Sequence, residues 1–420
     1  MIEAALDFLW ALEPAAYVSV FWFFFIFDLP RYTLSTLAVG FLCAFPRSLP
    51  KPDPHLPVSI LLVGHNESDG LVRSVMSLRE QTMLNLQIVV VDDGSSDGMA
   101  EVATNLRRRG LIDIVVSTGL RGGKAAGLNL GLQYCRHDLM VVADIDSSFD
   151  RDAVEHLVAP LLADPSVGAA AGNLGVRNTS ASLLTRFQAI EYYNNISLGR
   201  QFTAMFGLLM IVSGAFGGYR RAAIRSVGGW DVGPGDDSNL TTKLRRSGWR
   251  IAFAPQAWAL TDVPVAHGPL WRQRLRWNRS LVRNRLRKFR SVFNPFWAQF
   301  SLSDVIGTVN LLWFHIFLTF GFVIYIVHSF VKFGPMALLI LIAVHIIATI
   351  CELIEFVVAW IFVGRPSMWR LLLYIPGHGL YMGYYMRLNR LIAYVSELMH
   401  RRSYRDPFYP SKVRDAQEQF

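Results

Sequence analysis

Val141-Val142-Ala143-Asp144-Ile145-Asp146 is the stretch on which the fold turns. An apolar run stops on two acids spaced i, i+2. On a regular strand that spacing puts both carboxylates on one side, and the turn that follows leaves them at the strand's carboxyl end. Two hard oxygen ligands at such an edge can hold Mg²⁺ or Mn²⁺ against a diphosphate. A turn that merely ends in acids would read the same way, so the flanking sequence has to decide.

Outward from there, apolar runs alternate with helical patterns. Strands are predicted over Val58–Gly64, Leu86–Asp92, Ile112–Ser117 and Leu139–Asp144, with helices over Gly70–Gln81, Met99–Arg108 and Lys124–Cys135. This predicts an α/β domain: a mostly parallel sheet with helices on both faces, binding ligands where its strands end. Polar residues cluster at those ends, at Gly64-His65-Asn66-Glu67, Asp92-Asp93-Gly94-Ser95 and Gly122-Gly123-Lys124. Carboxylates suit the edges of a base and ribose, and a lysine at a glycine-rich turn suits a phosphate. Further on, Gly235-Asp236-Asp237-Ser238 opens a predicted helix. Those acids either complement the helix dipole or supply a general base toward a hydroxyl.

Composition adds a membrane. Of 420 residues, 52% are hydrophobic and 13% aromatic, and the mean hydropathy is +0.31. The apolar runs gather at the two ends of the chain. One N-terminal span is expected near Ala11–Phe27, then a break at Asp28-Leu29-Pro30-Arg31 and a half-embedded helix, with a tight hairpin of two short spans as the alternative. Arg47 and Lys51 place the downstream side in the cytoplasm, and Pro46, Pro50, Pro52, Pro54 and Pro57 form a stiff linker. Val305–Val331 and Met336–Val363 are each long enough to span. Trp369–Met399 reads as a re-entrant or interfacial pair broken by Pro376, Gly377 and Gly379. Within the second long segment His345, Thr349, Glu352 and Phe356 share a stripe, with Glu355 beside it. Intramembrane carboxylates are costly unless they face a polar cavity. Glu352 and Glu355 are therefore expected either to line a sugar-polymer path or to bond helix to helix.

Net charge is +9, and Leu270–Arg290 holds nine basic residues and no acid. This segment is predicted to be an interfacial amphipathic helix on an anionic bilayer, with no nucleic-acid partner. Gln273, Arg276 and Trp277 fall at i, i+3, i+4 on one face, leaving Trp271, Leu275, Leu281 or Val282, Leu286 and Phe289 for lipid. Three cysteines imply neither a disulfide framework nor a zinc site, as expected of a cytosolic catalytic face.

The ordered set Asp92-Asp93-Gly94-Ser95, Gly123-Lys124, Asp144-x-Asp146, Gly235-Asp236-Asp237 and Gln273-x-x-Arg276-Trp277 resembles the membrane-integrated, processive family 2 glycosyltransferases. These include the cellulose, hyaluronan, chitin-oligosaccharide and poly-N-acetylglucosamine synthases. The resemblance implies a GT-A fold with flanking transmembrane and interfacial helices. It also implies an inverting mechanism, a UDP-sugar donor, a β-linked polysaccharide acceptor, and Mg²⁺ or Mn²⁺. Asp237 would be the base, and Arg276 would stabilise the leaving UDP. Asn66, Glu67, Asp92, Asp93, Lys124, Asp144 and Gln273 would bind the donor. Trp277, Asp236, Ser213 and Gly214 would shape the acceptor site. Asp146, with Asp144, would hold the metal.

The implied layout is an N-terminal membrane segment (1–50), a cytoplasmic GT-A domain (51–268), the interfacial motif helix (269–300), C-terminal membrane and re-entrant helices (301–400) and a cytoplasmic tail (401–420). The whole would be multi-pass in the plasma (inner) membrane. Departures are Asp236, where relatives often have Glu, Asn239 in place of an acid, and no gating motif after the spans, a task left to Arg402-Ser403-Tyr404-Arg405. Two other readings share parts of this pattern. One is a non-processive transferase that loads a sugar onto a lipid carrier. The other is a non-catalytic membrane partner or polymer channel.

Overall fold

The computed structural model describes residues 10, 13–44, 49–363 and 365–417; Ala11, Pro46 and Arg47 lie outside them. Eight strands form one sheet: β1 (Val58–Gly64), β2 (Leu86–Asp92), β3 (Ile114–Ser117), β4 (Leu139–Asp144), β5 (Ser148–Phe149), β6 (Val167–Val176), β7 (Phe216–Arg220) and β8 (Arg250–Thr261). Their order is β3-β2-β1-β4-β7-β6-β8-β5. The expected parallel arrangement holds from β3 to β4, where each crossover carries a helix: Ser68–Arg79, Met99–Arg108 or Lys124–Leu132. Beyond β4 the sheet is mixed. β7 runs antiparallel to both β4 and β6, β6 pairs parallel with β8, and β5 is antiparallel to β8.

The apolar strands bury both faces. Ile60, Leu62, Ile88 and Val90 pack with Leu71, Val75 and Leu78 on one side. Leu61, Val63, Val89 and Val91 pack with Leu128 and Leu132 on the other. Each such side chain contributes roughly 1.5–3 kcal/mol, which is why continuous runs, rather than alternating ones, mark these strands.

The rest is helical. Near the N-terminus the chain bends at Phe21, then runs through Phe24–Asp28 into Leu29–Ala44 without the break expected at Pro30. A wide, π-type turn over Phe24–Asp28 directly precedes the proline, and such a turn relaxes the clash a proline ring makes with the preceding turn. Among the described residues, Leu302–Val363 is the one helical run long and apolar enough to cross a membrane. It has 62 residues, and 22% of its most apolar stretch is buried within the chain. Gly334, at φ 55°, divides it into two arms.

The segment expected to break at Pro376 is helical from Ile375 to His400. Pro376 sits in the first turn, where its missing N–H costs nothing. Gly377 and Gly379 serve close packing: a Cβ would meet Phe187 at the first and His345 and Thr349 at the second.

The motif helix His267–Val282 departs most from expectation. It packs along Met386–His400 and buries Leu270, Arg274 and Val282. Val282, Leu275, Leu281 and Leu286 meet Leu312, Ile316, Ala393 and Tyr394 rather than lipid. Four arginines of this helix and of its continuation, Arg283–Lys288, are spent internally: Arg274 on Glu191, Arg287 on Glu397, Arg279 on Ser396 Oγ, and Arg285 on Thr242 Oγ1 and the Met210 carbonyl. A basic helix on lipid and a basic helix buried among acceptors share one composition. Only tertiary partners tell them apart.

Candidate active site

Strand register assembles the site. β1 lies between β2 and β4, so Gly64 stands beside Asp92 and Val63 beside Asp144. The loops after these strands therefore open on one edge. Because β7 is antiparallel to β4, the segment entering it, Ser213-Gly214-Ala215, arrives at the same edge; the Asp144 amide donates to the Ala215 carbonyl at 3.2 Å. Gly235 takes a left-handed conformation (φ 74°) and starts the helix Asp236–Arg246 there. Asn284, just after the motif helix, donates to the Gly235 carbonyl (3.2 Å) and to Ser238 Oγ (2.9 Å), tying that turn to the motif helix.

These elements enclose a cavity of about 670 Å³. Glu67, Asp93, Lys124, Asp144 and Asp146 line its sheet side, with Ser213, Gly214, Asp236 and Asp237 on its floor. Gln273, Arg276 and Trp277 line it together from one face of the motif helix, as their spacing predicts. Gln273 Oε1 is buried without a protein partner.

Two expected donor ligands stand off the cavity. Asn66 (φ 60°) bridges loops, receiving the Ser96 amide at 2.8 Å and donating its own amide to Ser95 Oγ at 2.9 Å. Asp92 is 2% exposed and caps the same turn through the Ser95 amide at 3.1 Å. Asp93 lines the cavity, but its carboxylate accepts the Gly122 and Gly123 amides at 2.6 and 2.7 Å. The Asp-Asp-Gly-Ser motif thus shapes the glycine loop that carries Lys124.

Charge in the cavity is unevenly matched. Lys124 pairs with Asp144 and reaches the Gly214 carbonyl at 3.4 Å. Burial opposes its charge, but Asp144 and Asp236 hold its pKa well above the usual lysine value. Burial, reinforced by Asp144 and Asp146, pushes Glu67 up to about 8. Burial and Asp144 push Asp146 up to about 6. Asp237 is likewise raised to about 6 by burial and Asp236, against the Ser238 amide, Lys124 and Arg200.

Crowded carboxylates of this kind suit a divalent cation. Among the described residues no three such side chains close around a point.

Several lining residues carried no motif. Arg200 sits beside Asp237, and Glu191, Arg285, His315 and Arg390 line the deeper end. The C-terminal tail covers the donor side. Phe408 lies 3.7 Å from the Arg276 guanidinium, and Tyr409, Pro410 and Val413 line the cavity, Val413 against Gly123. Arg402–Arg405, expected to gate, instead anchors this strap. Ser403 is buried on Glu397, and Arg283 stacks on Tyr404 at 4.7 Å.

Residues 59–228 match glycosyl transferase family 2. That stretch is similar to a family 2 glycosyltransferase domain. Over 275 residues it is 28% identical to the poly-beta-1,6-N-acetyl-D-glucosamine synthase of Staphylococcus aureus, strain MSSA476, a match spanning 64% of this chain and 66% of that protein. The same enzyme of Staphylococcus epidermidis is 28% identical over 240 residues, 56% of this chain and 57% of its own. The chain thus spans just under two thirds of the first of these relatives. The mannosyltransferase PcManGT from Pyrobaculum calidifontis, solved with GDP-Man and Mn²⁺, superposes with a TM-score of 0.59 at 20% identity, over 95% of this chain and 99% of that one. The mixed sheet with its helices is GT-A-like.

Proposed function

We propose that this chain is a membrane-embedded polysaccharide synthase that extends a β-linked polymer processively from a UDP-sugar, with inversion at the anomeric carbon. The observation that carries the reading is the convergence of Asp237, Lys124 and the Gln273-Arg276-Trp277 face on one cavity. Asp237 takes the proton of the acceptor hydroxyl as its oxygen bonds to the anomeric carbon. The bond from that carbon to the diphosphate breaks, and UDP leaves. Arg276, a half-buried guanidinium, is placed to bear the negative charge that develops on the leaving group. Trp277 offers an indole face to the terminal sugar.

Asp146 with Asp144 would hold a divalent cation, whose chemistry is to neutralise the diphosphate, and Glu67 lines the cavity with them. Asp144 is engaged by Lys124 and orients it. The two arms of Leu302–Val363 would cross the inner membrane, with the sheet domain on the cytoplasmic side. The relatives' named product makes N-acetylglucosamine the first sugar to test.

The test is UDP release by the detergent-held protein with Mn²⁺, given UDP-N-acetylglucosamine, UDP-glucose, UDP-glucuronate or GDP-mannose in turn. Release with UDP-N-acetylglucosamine and a high-mass labelled product is expected. A small, organic-soluble product would replace this reading with a lipid-carrier transferase. Silence with every donor would favour the non-catalytic alternative.

A further inference from the structure

Trp277 is 42% exposed, so packing alone does not fix its ring. One face is covered by Arg274, three residues earlier on the same helix, with the guanidinium 4.5 Å from the indole centroid. Arg274 is itself clamped. Its Nη2 donates to Glu191 Oε2 at 2.8 Å, and the two side chains are only 8% and 12% exposed. The same Glu191 oxygen accepts the Tyr381 hydroxyl at 3.2 Å. Tyr381 is 4% exposed and does not line the cavity. It packs among Phe187, His378 and Tyr385, with centroids 5.5 to 5.7 Å apart. His378 in turn is paired with Glu352 on the long membrane-side helix.

Tyr381, Glu191, Arg274 and Trp277 therefore form one chain of contacts from the membrane-side helices to the cavity. A planar guanidinium held by a buried carboxylate has little freedom, and an aromatic ring stacked on it inherits that orientation. Arg274 borders the cavity beside Gln273, Arg276 and Trp277, but its guanidinium is committed to Glu191 and to the indole.

We infer that Glu191, Arg274 and Tyr381 are positioning residues that set the plane of the Trp277 indole, so that the membrane-side helices fix how the acceptor sugar is presented. This rests on the reading of Trp277 as the acceptor platform, and the experiment separates the two claims.

The protein is labelled with 5-fluorotryptophan in detergent, and the Trp277 fluorine resonance, one of 11, is identified by its loss in Trp277→Phe. It is then followed in Arg274→Gln and in Tyr381→Phe. The second variant removes a single hydroxyl away from the cavity and preserves the packing. Transfer is measured in parallel, with UDP-N-acetylglucosamine and a β-1,6-linked N-acetylglucosamine oligomer.

Both variants are expected to shift or broaden the Trp277 resonance. Acceptor half-saturation should rise about tenfold in Arg274→Gln and about threefold in Tyr381→Phe, the range of a stacked cation. Donor KM should stay within about twofold, and neither variant should add to the effect of Trp277→Ala. An unmoved resonance in both variants overturns the positioning network, whatever the activity. A moved resonance with unchanged acceptor kinetics upholds the network and removes the platform role from Trp277.

Discussion

The large cavity at the sheet edge and the small cavity among the flanking helices are both lined by acids and arginines, and Arg390 borders both. They differ in how charge is settled. In the small one, of about 40 Å³, Asp28 is paired with Arg387 at 3.0 Å and Glu352 with His378. In the large one Lys124 pairs with Asp144 and Arg274 with Glu191, but Glu67, Asp146 and Asp237 form no ion pair among the described residues. The same side chains thus serve two ends. Where a charge must simply be tolerated away from water, the fold supplies a partner. Where a proton or a cation must come and go, the partner is withheld, and the cost shows as carboxylates that resist ionisation. Glu352, expected to line a polymer path or to join two helices, is a helix-to-helix contact by this criterion.

The sharpest way to break this contrast is Asp237→Asn. Loss of a general base removes about 10²–10⁴-fold of rate, so turnover should fall by that factor while UDP binding, read by calorimetry, is kept. Full activity would strip Asp237 of its role.

Next is Arg387→Leu, which takes from the buried Asp28 the guanidinium paired with it and leaves it only the charge of Arg31. Breaking one side of such a pair costs about 3–5 kcal/mol, visible as a lower melting temperature. Asp28→Leu combined with Arg387→Leu should recover most of that loss, whereas a site kept for function would not recover activity.

A smaller, pH-dependent effect should follow from Asp237 itself. Its pKa near 6 requires kcat/KM to fall about tenfold per unit below pH 6. The sign for stability is opposite. A raised carboxyl favours the folded state at low pH, and that contribution is lost as pH climbs from about 4 through 6. Asp237→Asn should therefore melt above wild type at pH 7 and equal it below pH 4.

The smallest effect is Phe408→Ala. Removing the ring against Arg276 should change donor KM about two- to fivefold, with thermal stability nearly unchanged because Phe408 is 48% exposed.

Much of this was legible from residue order. Parallel strands announce themselves by unbroken apolar runs, and strand ends by their polar clusters, so the edge carrying Asp144, Asp146 and Lys124 could be placed from sequence. The i, i+3, i+4 face of Gln273, Arg276 and Trp277 followed from helical period alone. What could not be read was long-range. β7 gives no local sign of running antiparallel. The arginines of 272–290 look like a lipid-facing set until Glu191, Glu397 and Thr242, remote in sequence, come to meet them. The tail residues Phe408 and Tyr409 carry no motif and reach the cavity only because Glu397 and Arg283 anchor the turn before them.

That anchoring has a practical side. Arg245, deep in the sheet domain, bonds Asp304 at 2.6 Å on the first membrane-side arm, with only 7% and 5% of the two side chains exposed. Arg274 depends in part on Tyr381, and Arg287 on Glu397, in the same way. A cut at residue 268 or 300, where a domain boundary would be drawn on sequence, would strip these seams and leave charged groups facing a void. The sugar-transferring half is therefore not a detachable module: it has to be expressed, purified and engineered together with the helices that hold it.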